Sequence, residues 1–194
     1  MLCLHRFRIA LSLLCCTLAL NGPKIPVARA DSLPVQADKF ASGAGNLIFL
    51  GLGAGLPLLE DGRAGRNDTL RVVDAAGVSA LFSEAAKRVT NEERPDHTDR
   101  ESFPSGHATA AFAVATMESH FHPRQSPYWY GGASLIAASR VGLHRHFIHD
   151  VVAGAILGYA TARWELSRPR GLILYPVISP GRGGQFGLTA ALRF

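Results

Sequence analysis

The stretch Ser139-Arg140-Val141-Gly142-Leu143-His144-Arg145-His146-Phe147-Ile148-His149-Asp150 decides how the rest of the chain is read. It puts a basic residue, Arg140, near the end of one apolar run and a histidine–acid pair, His146 and Asp150, at the start of the next. In a helix those two stand one turn apart on one face. A carboxylate beside an imidazole fixes its tautomer, leaves the other nitrogen free as a nucleophile, and stabilises positive charge as the ring attacks. A helix-capping aspartate among surface histidines is the competing reading of this stretch alone.

Upstream, Phe103-Pro104-Ser105-Gly106-His107 opens a second apolar helix. Ser105 can cap it, and Gly106 lets another group approach the backbone. The first-turn N–H groups and the positive end of the helix dipole form an anion site, with His107 beside it. Farther upstream, Lys87 sits near the end of a third helix and Arg94 follows in a polar loop. A basic side chain beside a core is costly without a partner. Lys87, Arg94 and Arg140 could converge on one anion, and phosphate has the charge and acceptor oxygens to satisfy them. Singly, each reads as a solvated or snorkelling side chain.

Together the segments show Lys87, six residues, Arg94-Pro95; then Pro104-Ser105-Gly106-His107; then Ser139-Arg140, five residues, His146, three residues, Asp150. This resembles the three-part signature of the type 2 phosphatidic acid phosphatase and vanadium haloperoxidase superfamily, over about Leu70 to Ala162. Asp150-Val151-Val152-Ala153-Gly154 is also similar to the family's residues just after the third motif. The resemblance implies an all-α helical bundle. It implies that Lys87, Arg94 and Arg140 hold phosphoryl oxygens with the Ser105 hydroxyl and the Gly106 N–H. By the same likeness His146 attacks phosphorus, Asp150 orients His146, and His107 protonates the leaving oxygen and then activates water. Neither metal nor other cofactor is expected, since three cations supply the positive field. His144 and His149 depart from the family pattern, which favours small residues there, and bring extra imidazoles near the site.

The expected reaction is hydrolysis of a phosphate monoester or diphosphate, and a lipid phosphate of the cell envelope is an attractive substrate by analogy. A vanadium haloperoxidase would use the same residues to hold vanadate, but those oxidases resemble longer chains. A histidine-rich metal protein is the second alternative, through His97, His120, His122, His144, His146 and His149. No spacing among them matches a compact zinc motif. A non-catalytic envelope lipid-binding module is the third.

The rest of the sequence bounds these readings. Residues 1–30 read as a secretory signal: His5, Arg6 and Arg8 lead, Ile9–Leu20 is apolar, and Ala28-Arg29-Ala30 suits cleavage after Ala30. Cys3, Cys15 and Cys16 all lie in it, so the expected mature chain has no thiol nucleophile or disulfide. The signal also holds Arg6, Arg8, Lys24 and Arg29 and no acid. Taking these four from 20 basic side chains leaves 16 against 15 acidic ones. A balance of +1 gives no footprint for nucleic-acid binding.

Residues 31–168 are expected to form the helical domain. Phe40–Leu59 is uncharged and Gly-rich, and reads as a buried or interfacial helix rather than a span. Leu70–Val89 reads as a helix with Asp68 as its N-cap and Val78, Leu81, Phe82, Ala85, Ala86 and Val89 as its apolar stripe. Gly106–Phe121, Trp129–Val141 and Val151–Leu166 complete the set. Their apolar runs are short for bilayer spans and typical of buried helices in a soluble bundle, with peripheral membrane contact left open. Residues 169–194 are expected to form a β-hairpin, from Leu172–Ile178, a Pro/Gly turn and the alternating Gln185–Phe194. Composition says nothing of the oligomeric state.

Overall fold

The computed structural model describes residues 35–169, 171–178 and 186–190, the last two segments as backbone beyond residue 173. The signal expected over 1–30 lies outside the described residues. The elements are α1 (Val35–Phe40), a π-helical turn (Ala41–Gly45), α2 (Asn46–Glu60), α3 (Gly65–Thr90), α4 (Gly106–Phe121), a 3-10 turn (Pro123–Gln125), α5 (Ser126–Gly142), α6 (Ile148–Leu166), β1 (Leu174–Ile178) and β2 (Phe186–Ala190).

α4 is the axis of the bundle. It packs most extensively on α6, then on α5 and α3. Its residues Ala108, Ala111, Ala113, Val114, Ala115 and Met117 are all buried, as expected of a helix apolar on every side. Close packing on α6 depends on two glycines. A Cβ on Gly154 would meet the Ser105 carbonyl and one on Gly158 the Thr109 carbonyl. Alanine at either position would force the helix backbones apart, at a cost of about 1–3 kcal/mol. This approach brings the start of α4 against the start of α6, where the two histidines lie.

Three helix starts differ from the reading of the sequence. α3 begins at Gly65, so Asp68 lies inside its first turn and Ala64 takes the N-cap position. α5 and α6 each begin about three residues earlier than expected, at Ser126 and Ile148. α3 ends where Asn91 turns left-handed, at φ 46°, with its N–H bonded to the Lys87 carbonyl.

Of the apolar stripe read on α3, Val78 alone is buried, and most of the rest faces outward. Leu81 is 63% exposed, Val89 85%, and Phe82 is also exposed. The buried face joins Val78 to Val72, Ala75, Ser79 and Ser83. The same inversion recurs elsewhere. Phe40, Leu47, Ile48, Leu52, Leu58 and Leu59 are exposed along α1 and α2, while Asp38, Ser42 and Asn46 point inward. On α6, Ile148, Val152, Ile156 and Tyr159 form one exposed row. Of the two expectations for Phe40–Leu59, buried or interfacial, the exposed apolar face agrees with the interfacial one, and the expectation of helices typical of a soluble bundle is corrected. The inward faces are occupied by small and polar groups that build the site, which leaves the large apolar side chains outside. By length and composition, Val35–Glu60 is the one segment among the described residues able to cross a membrane.

The chain beyond α6 is tied back by buried acids. The Leu172 N–H donates to Asp74 Oδ2 at 2.8 Å and Glu165 Oε2 at 2.7 Å, and Arg71 pairs with Glu165 at 3.1 Å. β1 and β2 run antiparallel with Leu174 opposite Ala190. The turn and terminus of the expected hairpin, 179–185 and 191–194, lie outside the described residues.

Candidate active site

Main-chain bonds lock the three motif segments together. The Ser105 N–H donates to the Asp150 carbonyl at 3.0 Å, joining the start of α4 to the start of α6. The Ser102 N–H donates to the Glu92 carbonyl at 2.9 Å, folding the loop after α3 under it. Arg145 reaches the same loop, at 3.0 Å from Asp96 Oδ2. Behind it the chain leaves α5 by a left-handed turn at His144, φ 54°, and both the Arg145 and His146 N–H groups return to the Arg140 carbonyl.

His146 is 2% exposed. Its Nδ1 lies 2.8 Å from the Ser102 carbonyl oxygen and 3.5 Å from Asp150 Oδ2. A carbonyl only accepts, so Nδ1 carries the proton and Nε2 the lone pair. The sequence reading gave that task to Asp150. Asp150 is one turn away, as expected, but the nearer acceptor is the main chain. Asp150 Oδ2 instead accepts from Ser102 Oγ at 2.5 Å and from the Phe147 N–H at 2.8 Å. Burial opposes ionisation of Asp150. Contacts from His146, His149, Ser102 and Phe147 outweigh it and hold the carboxyl well below the usual range. Burial lowers the His146 pKa against the pull of Asp150, so the ring is neutral, as a nucleophile must be.

His149 completes this corner. Its Nε2 lies 3.1 Å from both Glu92 Oε1 and Asp150 Oδ1, and its ring stacks on Phe103 and Phe147. The Asp150 and Glu92 carboxylates push its pKa up to about 9. It is an imidazolium at neutral pH, bridging two acids. Glu92, His149 and Asp150 also present ligand atoms within 4.8 Å of one another. A metal there would first have to displace that proton.

The cations gather on the other side of His146. Arg140 is 8% exposed and couples electrostatically to Arg94 and Arg145. Burial, then those two cations, brings its pKa down to about 10, so it stays charged. It bonds Ser42 of the π-helical turn through Nη1, and its Nε has no hydrogen-bond partner. Arg94 holds Asp99 at 2.5 Å, and Lys87 holds Glu84 at 2.7 Å, with the Glu84 carboxylate itself 4.0 Å from where a Cβ on Gly106 would stand. Lys87 Nζ is 3.5 Å from where a Cβ on Gly106 would stand, so it faces the start of α4. His107, in the first turn of α4, feels Arg140, His146 and Lys87. Burial, then these charges, pushes its pKa down to about 4.

Ser105 corrects one expectation. It occupies the N-cap position of α4 but makes no side-chain cap bond; its hydroxyl is buried without a partner. A buried hydroxyl without a partner is costly. Ser83, one turn before Lys87, is in the same condition, 3.6 Å from the position of a Gly106 Cβ. The structure thus brings Lys87, Arg94, Ser105, Gly106, His107, Arg140, His146 and Asp150 to one end of the bundle. It adds Ser42, Ser83, Glu92 and Ser102, which sequence reasoning did not single out. Only Ser83 left a signal, its helical spacing from Lys87.

Comparison with known proteins agrees with this geometry. A profile of the PAP2 superfamily matches residues 69–171. A lipid A 1-phosphatase of Porphyromonas gingivalis is 35% identical over 103 residues, which cover 50% of this chain and 23% of that protein. The chain therefore spans about a quarter of the length of that curated relative. The crystal structure of Aquifex aeolicus LpxE shares the fold, with a TM-score of 0.52 at 22% identity, covering 73% of this chain and 99% of that one.

Proposed function

Because the chain belongs to the PAP2 superfamily, we propose that it is a phosphatase acting on a lipid phosphate of the cell envelope through a phosphohistidine. One observation carries the reading: Arg140 is buried, charged, and has an Nε with no partner in a site that also leaves Ser105 and Ser83 hydroxyls unpaired. These are donors without an acceptor, and a phosphoryl group supplies three acceptor oxygens.

In this reading Lys87, Arg94 and Arg140 hold the equatorial oxygens, with the Ser105 and Ser83 hydroxyls and the Gly106 N–H at the positive end of α4. His146 Nε2 attacks phosphorus in line. The bond to the leaving oxygen breaks as the P–N bond forms. The charge gained by the imidazole is met by the Ser102 carbonyl and by Asp150, whose own position His149 and Glu92 maintain. Before substrate binds, His107 is neutral. A bound phosphoryl dianion reverses the field of Arg140 and Lys87, raises the pKa of His107 and lets it protonate the leaving oxygen. His107 then takes a proton from the water that cleaves phosphohistidine. The three cations supply the charge that a metal would otherwise provide.

The lipid assignment rests on two supports. The P. gingivalis relative is named for lipid A 1-phosphate. The outward faces of α2, α3 and α6 carry large apolar side chains that water would not favour. We therefore place the protein at a membrane, exported by the segment 1–30, with the apolar face of α1 and α2 in the lipid. For the tail we retain a hairpin, supported by the antiparallel register of β1 and β2. The test is phosphate release, with chelator present, from a chromogenic monoester, phosphatidic acid, a lipid A 1-phosphate and an isoprenyl diphosphate. Hydrolysis of a lipid substrate that is lost in His146→Ala is the expected result. Chelator-sensitive chemistry, or full activity in His146→Ala, would refute it.

A further inference from the structure

Residues 35–60 lie outside the stretch matched by the family profile, 69–171, and still reach the phosphate site. Asp38, Ser42 and Asn46 recur at every fourth position and are buried along α1, the π-helical turn and the start of α2. Phe40, Leu47, Ile48 and Leu52 of the same segment are exposed. Burying a polar side chain is costly unless it finds a partner, so the inward face is explained by what it meets rather than by apolar packing.

Ser42 meets two members of the site at once. Its hydroxyl oxygen accepts from Arg140 Nη1. Its main chain hydrogen-bonds the His107 ring in a way that favours the protonated ring. Only an acceptor has that effect, so a His107 ring N–H donates to the Ser42 carbonyl. The neutral ring has one such proton, and its other nitrogen then carries the lone pair. Glycines hold the segment at this depth. A Cβ on Gly142, two residues past Arg140, would collide with the Asp38 carboxylate, and one on Gly53 would collide with Val114 of α4. Ser42 stands between these two points of close docking, in the π-helical turn Ala41–Gly45. Such turns are rare and recur at functional sites.

We propose that Ser42 is a positioning residue of the phosphate site: its hydroxyl aims the Arg140 guanidinium and its carbonyl fixes the tautomer of His107. The inference rests on the proposed phosphatase reading for what Arg140 and His107 do. Holding Arg140 through Nη1 leaves its Nε, which has no partner, for the phosphoryl group. The His107 nitrogen turned away from Ser42 is the one that protonates the leaving oxygen and takes a proton from water. Ser102 sets His146 in the same manner, so each of the two histidines is fixed by a main-chain carbonyl. The segment whose outer face is apolar thus forms one wall of the site with its inner face.

The test has two measurements on the full chain in detergent. The first is calorimetric titration with inorganic phosphate. Ser42→Ala should weaken binding about tenfold, the worth of one hydrogen bond to a charged group, and Ser42→Thr should restore it to within about twofold. Gly43→Ala, whose added Cβ would meet nothing, should bind as wild type does. The second is the 15N spectrum of the histidine-labelled chain at neutral pH without phosphate, the His107 signals being identified by their loss in His107→Gln. A single His107 tautomer is expected in wild type and in Ser42→Ala, because the carbonyl survives that substitution. Wild-type affinity in Ser42→Ala overturns the proposal. So does an equal loss in Ser42→Thr and Gly43→Ala, or a mixture of His107 tautomers in wild type. Both measurements are made without turnover, so a chain that binds phosphate but hydrolyses no ester would refute the proposed function and leave this inference standing.

Discussion

The imidazole of His146 donates its Nδ1 proton to the main-chain carbonyl of Ser102, 2.8 Å away, while Asp150 stands 3.5 Å from the same nitrogen. The ring's tautomer is thus set by an atom that no substitution removes. Where a carboxylate alone fixes the tautomer of a catalytic histidine, its amide variant loses about 10^4 in kcat. Here Asp150→Asn should cost only about 10^2, because it removes charge stabilisation but not the tautomer. His146→Ala should abolish turnover. Steady-state kinetics on the two variants checks the ordering.

In the proposed mechanism Ser105 and Ser83 serve the bound phosphoryl group rather than the fold. Each hydroxyl is buried without a partner. Ser105→Ala and Ser83→Ala should leave Tm unchanged or raise it, by up to about 1 kcal/mol of stability. Each should lower kcat/KM about 10- to 100-fold, the worth of a hydrogen bond to a charged group. Thermal melts and kinetics on the same preparations separate this outcome from a packing role, in which both would fall.

The exposed row Ile148, Val152, Ile156 and Tyr159 on α6, with Leu81 and Phe82 on α3, is expected to face lipid. Ile156→Glu and Leu81→Glu should therefore reduce flotation with anionic vesicles while preserving the helical circular-dichroism spectrum. Release of soluble monoester phosphate should persist in both.

His149 gives a pH signature. Its folded pKa, about 9, exceeds the ordinary 6.5. Its contribution to stability is then fully present below pH 6.5 and is lost as pH rises through 9. The Tm difference between wild type and His149→Gln should be largest near about pH 6 and shrink toward about pH 9.5. The groups facing it are Glu92 and Asp150, with Phe103 and Phe147 on its faces.

Much of the site was legible because its chemistry is carried by residue types that stand out in apolar helices. Lys87, His107, Arg140, His146 and Asp150 stand in or at the ends of such runs, and Arg94 lies at a fixed spacing after Lys87. Ser102 was not legible, since its contribution to His146 is a carbonyl that every residue has. Ser42 lay hidden in an uncharged Gly-rich stretch and meets Arg140 only through tertiary packing. Ser105 matched the pattern of an N-cap, yet its hydroxyl serves no cap. Helix positions followed from periodicity, but the direction each stripe faces did not. Periodicity marks Leu81 and Val89 as part of an apolar stripe and is silent on whether protein or lipid covers it.

The central claim is that His146 Nε2 becomes phosphorylated. Removing His107 should slow hydrolysis of the intermediate more than its formation, because the proposed mechanism has His107 activate the water. The direct measurement is rapid quench of His107→Ala with a radiolabelled lipid phosphate, followed by peptide mapping under alkaline conditions that preserve phosphohistidine. The expected result is acid-labile label on the peptide containing His146, approaching one phosphoryl group per chain and absent from the His107→Ala/His146→Ala double variant. Label on another residue, or phosphate release with no labelled protein at any quench time, would contradict the account.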